Sequence, residues 1–118
     1  MVAVDGDELL GEALLWAVDL HNRYAHIGIA LVPSARGRGF GTETLDLLAG
    51  YGFDVLGLHR LQLETLADND AMIRTALAAG FMVEGTLRGA VWAVGTFVDE
   101  VVLGLLVREW KRGSADQS

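Results

Sequence analysis

The hydrophobic pattern of this chain first changes period across residues 33–42, and that change limits what it can fold into. Ahead of it, residues 9–18 are apolar and carry Trp16, and residues 24–32 are rich in isoleucine and leucine. Both read as strands. The polar stretch 19–23, with Asn22, suits a hairpin loop between them. Residues 1–4 supply a short earlier strand, set off by the turn signal Asp5, Gly6, Asp7. Pro33 stops the third strand, because proline cannot donate to a ladder. Beyond the change, Leu45, Leu48, Ala49, Gly52, Phe53 and Leu56 recur at helical spacing from Thr42, and Gly57 closes the helix. Glu43 and Asp46 near its start suit the helix dipole.

Residues 60–66 return to alternation, with Leu61, Leu63 and Thr65 set against Gln62 and Glu64. Asp68, Asn69 and Asp70 offer N-caps for a second helix that runs to Ala79. Gly80 and Phe81 then fit the two positions after its end. The remainder reads as strands over residues 82–92 and 97–107, with a turn near Gly95 and a buried run over 101–107. The order is β-β-β-α-β-α-β-β. This is an α/β (α+β) chain with a mixed, mostly antiparallel sheet and one right-handed parallel strand–helix–strand crossover.

With 118 residues the chain holds one domain, read as residues 1–112, followed by a loose tail over 113–118. A hydrophobic share of 52% is ample for a core. No apolar run reaches the ~18 residues of a membrane span, and the start lacks a basic leader segment. The expectation is therefore no membrane partner and a cytoplasmic protein. There are no cysteines, and His21, His26 and His59 are too scattered for a metal cluster, so no metal is expected. A net charge of −7 argues against a nucleic-acid partner.

Arg36, Gly37, Arg38, Gly39, Phe40 and Gly41 lie between strand and helix. There a chain can offer backbone amides at a helix N-terminus to an anion, with glycines admitting it and arginines adding charge. A phosphate or pyrophosphate cradle is the chemical reading; a glycine-rich connector with two solvated arginines is the plain one. A Walker A loop fails, because the first lysine is Lys111. A dinucleotide fingerprint fails too, because Thr42 or Thr44 stands where a small residue is needed.

What remains, an arginine followed by Gly-x-Gly at residues 36–41, resembles the acetyl-CoA pyrophosphate loop of the GNAT N-acetyltransferases. Asn69, Gly80, Phe81, Glu84, Gly85, Arg88, Gly95, Asp99, Glu109 and Trp110 are similar, in order and spacing, to the branch with the ribosomal-protein alanine acetyltransferases and spermidine acetyltransferase. The likeness spans about residues 5–110. It implies the GNAT acyl-CoA N-acyltransferase fold, with acetyl-CoA as cosubstrate and an amine as acceptor. It implies that strands 24–32 and 60–66 splay around the pantetheine arm. Amides of Arg36, Gly37, Arg38, Gly39, Phe40, Gly41 and Thr42 would hold the pyrophosphate. Backbone near Leu31 and Val32 would meet the arm and thioester, and Asn69 and Arg74 would reach the cofactor. Asn69 also reads simply as an N-cap.

The implied chemistry is direct attack of a neutral amine on the thioester, with a backbone amide at the oxyanion and a base taking the proton. Many members carry a tyrosine acid seven residues after the asparagine; this chain has Ala76. His26 stands where relatives often have glutamate and is the candidate catalytic base, its plain reading being a polar strand residue. Asp19 and His21 are weaker candidates, no carboxylate base is evident, and Asp99 reads as structural. Trp16, Trp92 and Trp110 read as core or interface residues. Relatives begin with a further strand and helices, about fifty residues, ahead of the first residues here. Apolar surface beside residues 9–18 would then lie open and favour a homodimer. The function expected is acetyl transfer from acetyl-CoA to a protein N-terminal or small-molecule amine. The alternatives are a CoA-holding module without turnover and a ligand-free β-rich interaction domain.

Overall fold

The computed structural model describes residues 2–5, 8–31 and 39–110. Strands β1 (Val2–Asp5), β2 (Glu8–Asp19) and β3 (Tyr24–Leu31) come first. Helix α1 (Phe40–Gly50) runs on into a π-helical turn (Tyr51–Val55), followed by β4 (Arg60–Leu66) and helix α2 (Asp70–Ala78). The hairpin β5 (Met82–Ala93) and β6 (Thr96–Leu106) ends the sheet, whose six strands lie in the order β1-β2-β3-β4-β6-β5. Only β3 and β4 run parallel among these strands; every other neighbouring pair is antiparallel. The expected order and crossover are thus present, with α1 starting two residues earlier than the periodicity placed it. The expected single helix to Leu56 instead widens in its last turn, where the Leu56 N–H bonds to the Tyr51 carbonyl at 3.1 Å. The widened turn packs tightly on the sheet: a side-chain carbon on Gly52 would stand 3.3 Å from Leu61.

Strand alternation sorts the residues onto two faces. Ala13, Ala25, Ile27, Leu61, Leu63, Leu103 and Leu105 are buried on one face. Leu45, Leu48 and Phe53 of the first helical segment, and Ala76 of α2, pack into the same core. Trp110 joins its edge, with its ring 5.5 Å from that of Phe53 and its Nε1–H donating to Asp46. The other face carries Leu14, Trp16, His26, Gly28, Gln62, Glu64 and Val102, and no described helix packs on it. Leu14 and Trp16 there are 50% and 48% exposed. Trp92, at 63%, lies edge-to-face on Phe97 in the exposed hairpin. Trp16 and Trp92 are therefore not core residues. Trp16 stands on the face that α1 and α2 leave open, and Trp92 pairs with Phe97 near the hairpin turn.

The β5–β6 hairpin turns through Val94 and Gly95, both at positive φ. Asp99 has the structural role expected of it: its Oδ1 accepts the Gly89 N–H at 2.8 Å, where the β5 ladder shifts register. No described helix is long and apolar enough to cross a membrane.

Gly104 of β6 is needed for a different reason. Glu84 of β5 reaches across it to Arg60 of β4, at 2.8 Å from NH1. A side-chain carbon on Gly104 would lie 2.5 Å from the Glu84 carboxylate. The far end of a flexible side chain yields before backbone does, so Gly104→Ala should expel the carboxylate and leave the strands in place. The expected cost in urea unfolding is about 1 kcal/mol or less, as for other part-exposed ion pairs. Glu84→Gln should then cost nothing further in the Gly104→Ala background. Full additivity of the two substitutions would disprove the coupling.

Candidate functional site

β3 and β4 stay together for four residue pairs, from Tyr24 opposite Arg60 to Ile27 opposite Leu63, and then part. Each continues on its outer ladder. β3 remains paired with β2 as far as Leu31 opposite Gly11, and β4 with β6 as far as Leu66 opposite Glu100. The inner edges of residues 28–31 and 64–66 therefore face a gap. Every second residue along a strand turns its N–H and C=O to a given side, so both edges present backbone groups to that gap. A cleft of about 500 Å3 lies there, lined by Trp16, Gly28, Ile29, Glu64, Thr65 and Asn69 among others. That volume falls in the usual range for small-molecule sites, ~300–1,000 Å3.

Gly39, Phe40, Gly41 and Thr42 lie at the start of α1. Gly39 is the N-cap at φ 82°, a conformation that favours glycine, and it has no side chain of its own with which to cap the helix. The first turn presents the electropositive end of a helix. Leu31 ends β3 on the unpaired inner edge. Val32, Arg36, Gly37 and Arg38, also expected at the cofactor, lie outside the described residues.

Asn69 caps α2 as expected of it, its Oδ1 accepting the Met72 N–H at 3.2 Å while Nδ2 donates to Thr65 Oγ1 at 3.2 Å. It also lines the cleft, so the cap and a place beside a ligand coexist. Arg74 is exposed on α2 and is not part of the cleft lining. Ala76 is fully buried in the core under α2. Asp19 accepts from both the backbone and the side-chain N–H groups of Asn22 at 2.9 Å, and these bonds hold its carboxyl below the ordinary range. It shapes the β2–β3 turn, as its neighbour His21 does, at the end of β3 remote from the gap.

His26 sits in the last stretch where β3 and β4 still pair. Its Nδ1 is 2.8 Å from Glu64 Oε1, and the two side chains are 19% and 17% exposed. Trp16, directly opposite on β2, lays its ring 4.7 Å from the imidazole, and Tyr24 lies 5.8 Å away. The same Glu64 oxygen accepts from Gln62 Nε2 at 2.7 Å, and Gln62 Oε1 accepts from Arg60 at 2.8 Å. Arg60 in turn binds Glu84. A continuous polar strip thus crosses the open face from β5 to β3. It supplies the carboxylate that the sequence did not reveal. Glu64 reads there as an ordinary outward strand residue, and only the parallel register, with His26 opposite Gln62, puts it beside the imidazole.

A mixed sheet parted along its parallel pair, with a glycine-capped helix opening after the parted strand, is the fold of the acyl-CoA N-acyltransferases. The sequence profile of the acetyltransferase (GNAT) domain matches residues 1–82, and the chain belongs to that family. It is 34% identical over 102 residues to the uncharacterized N-acetyltransferase YoaA of Bacillus subtilis, covering 86% of this chain and 58% of that protein. It is 33% identical over 87 residues to the spermidine N(1)-acetyltransferase of Escherichia coli, covering 74% and 46%. The crystal structure of the spermidine N-acetyltransferase from Vibrio cholerae in complex with CoA and spermine shares the fold at TM-score 0.83 and 24% identity. That match covers 88% of this chain and 62% of the other. The chain thus spans about half to three-fifths of the length of these proteins.

Two outcomes follow from this geometry. Asn69→Ala should cost about 1 kcal/mol through loss of the cap, and Asn69→Ser should restore most of it, as read by thermal unfolding. Hydrogen bonds from the Arg60 guanidinium hold the Glu84 carboxyl below the ordinary carboxylate range. Its stabilisation is therefore fully present above that range and is lost as pH falls through the depressed value. Unfolding midpoints followed from neutral into acid pH should fall more steeply for the native chain than for Glu84→Gln.

Proposed function

We propose that this protein is an acetyl-CoA-dependent N-acetyltransferase acting on a primary amine, either a protein N-terminal amine or a small-molecule amine. The parting of β3 and β4 above His26 is the observation that carries this proposal. Bound there, acetyl-CoA supplies an activated acetyl thioester. Unpaired backbone of residues 28–31 meets its extended arm as a missing strand would, and Leu31 and Val32 serve the arm and the thioester. Amides of residues 36–42, with Arg36 and Arg38, bind the pyrophosphate at the start of α1. Asn69 stands at the cleft wall beside the arm, and Arg74 meets the distal part of the cofactor.

His26 takes the proton that the attacking amine must lose, since an ammonium has no lone pair with which to attack. The amine nitrogen forms its bond to the acetyl carbon as the carbon–sulfur bond breaks and CoA leaves as the thiol or thiolate. The cleft favours a cationic acceptor: Glu64 and Glu100 line it and no lysine or arginine does, among the described residues. No metal and no nucleic acid enter this scheme. We place the protein in the cytoplasm, in the branch of the ribosomal-protein alanine and spermidine acetyltransferases. A homodimer that covers Leu14, Trp16 and Val18 completes the proposal, because these stand exposed on the open face and its edge.

Calorimetry with acetyl-CoA should show saturable binding that Arg38→Glu abolishes. Thiol release with a panel of amines should follow, and His26→Gln should lower kcat by about 10²-fold or more while leaving acetyl-CoA binding intact. Binding without thiol release for any amine would favour a CoA-holding module instead. A folded chain that binds no acetyl-CoA would sink both readings.

A further inference from the structure

We propose that the hydrogen-bond chain Arg60–Gln62–Glu64 locks His26 in the tautomer that carries its proton on Nδ1, so that Nε2 is the proton acceptor. The inference deepens the role given to His26 above and rests on that reading for its catalytic meaning.

The direction of every bond in the chain is fixed from its far end. Arg60 is a guanidinium and can only donate. Its NH2 group lies 2.8 Å from Gln62 Oε1, which must therefore be the carbonyl oxygen of the amide. The Gln62 amide nitrogen is then the end that faces Glu64, at 2.7 Å from Oε1. That oxygen must accept. The same oxygen lies 2.8 Å from His26 Nδ1, and an oxygen already serving as acceptor in an ionised carboxylate has no proton to give. His26 must donate, so Nδ1 carries the hydrogen and a neutral ring keeps its lone pair on Nε2. Among the described residues Nε2 makes no hydrogen bond.

Arg60 is held for this task by Glu84, which reaches it over Gly104. Trp16 lies against the imidazole and limits its rotation. The groups that face His26 are thus Glu64, Trp16 and Tyr24, with Gln62 and Arg60 behind the carboxylate. When Nε2 takes a proton, the ring becomes an imidazolium with both nitrogens protonated, and the Glu64 carboxylate is already beside the new charge. Glu64 and Gln62 are positioning residues: they act on the amine through His26.

The test is nitrogen NMR of the full chain labelled with 15N-histidine, at a pH where the ring is neutral and without substrate. Protonated and unprotonated ring nitrogens resonate far apart, so the tautomer is read directly. The native chain should show Nδ1–H. Glu64→Gln should keep it, because the amide oxygen still accepts from both Gln62 and His26. Glu64→Leu should shift the ring toward Nε2–H and lower kcat by about 10²-fold with the KM for acetyl-CoA unchanged, the order expected for a misplaced base proton. Gln62→Leu should give a mixed population. An Nε2–H ring in the native chain, or an unchanged Nδ1–H ring in folded Glu64→Leu, overturns the proposal. Both tautomer readings are made on the unliganded protein. Absence of turnover would count against the proposed activity alone, whereas a wrong tautomer with turnover intact would count against this inference alone.

Discussion

β3 and β4 can part because each has a second partner that does not. Four residue pairs hold them together, and beyond these the backbone groups of each strand on its outer side stay in the ladders to β2 and β6. A strand with no outer neighbour could not diverge in this way without losing its place. The inner edges are left with donors and acceptors that water or an extended ligand must satisfy. The cleft lies at that gap, and Asn69 lines it. The parallel crossover brings the end of one strand and the start of the next helix to the same side of the sheet.

The two faces of the sheet are put to different uses. One is filled by leucines from β4 and β6 under the first helical segment and α2, and it holds the molecule together. The other carries a polar strip from Glu84 through Arg60, Gln62 and Glu64 to His26, flanked by exposed Leu14 and Trp16. Alternation at period two separates these roles within single strands. Leu61 and Leu63 are core, while Arg60, Gln62 and Glu64 between and beside them form the polar strip. Gly104 joins the two ends of the strip, since only a residue without a side chain lets Glu84 cross β6.

Much of this was legible from residue patterns. The strand order in sequence, both helices, Asn69 as a cap and the turn at Gly95 follow from local rules of period, capping and turn chemistry. The family resemblance carried by residues 36–41, Asn69 and the Gly80–Phe81 pair agrees with the profile match and the shared fold. Of the core-or-interface reading of Trp16 and Trp92, exposure excludes the core half, although hydrophobicity predicts burial on average. Glu64 was passed over because a glutamate at an alternating strand position is usually a solvated one.

The sequence by itself determined the elements, their order and the residues that alternate to each face, because those depend on neighbours close along the chain. Tertiary structure alone decided that β3 and β4 pair in the register that places His26 opposite Gln62, and so beside Glu64. These side chains are 38 positions apart. No period or spacing relates them, and a shift of one residue would turn the glutamate to the other face of the sheet.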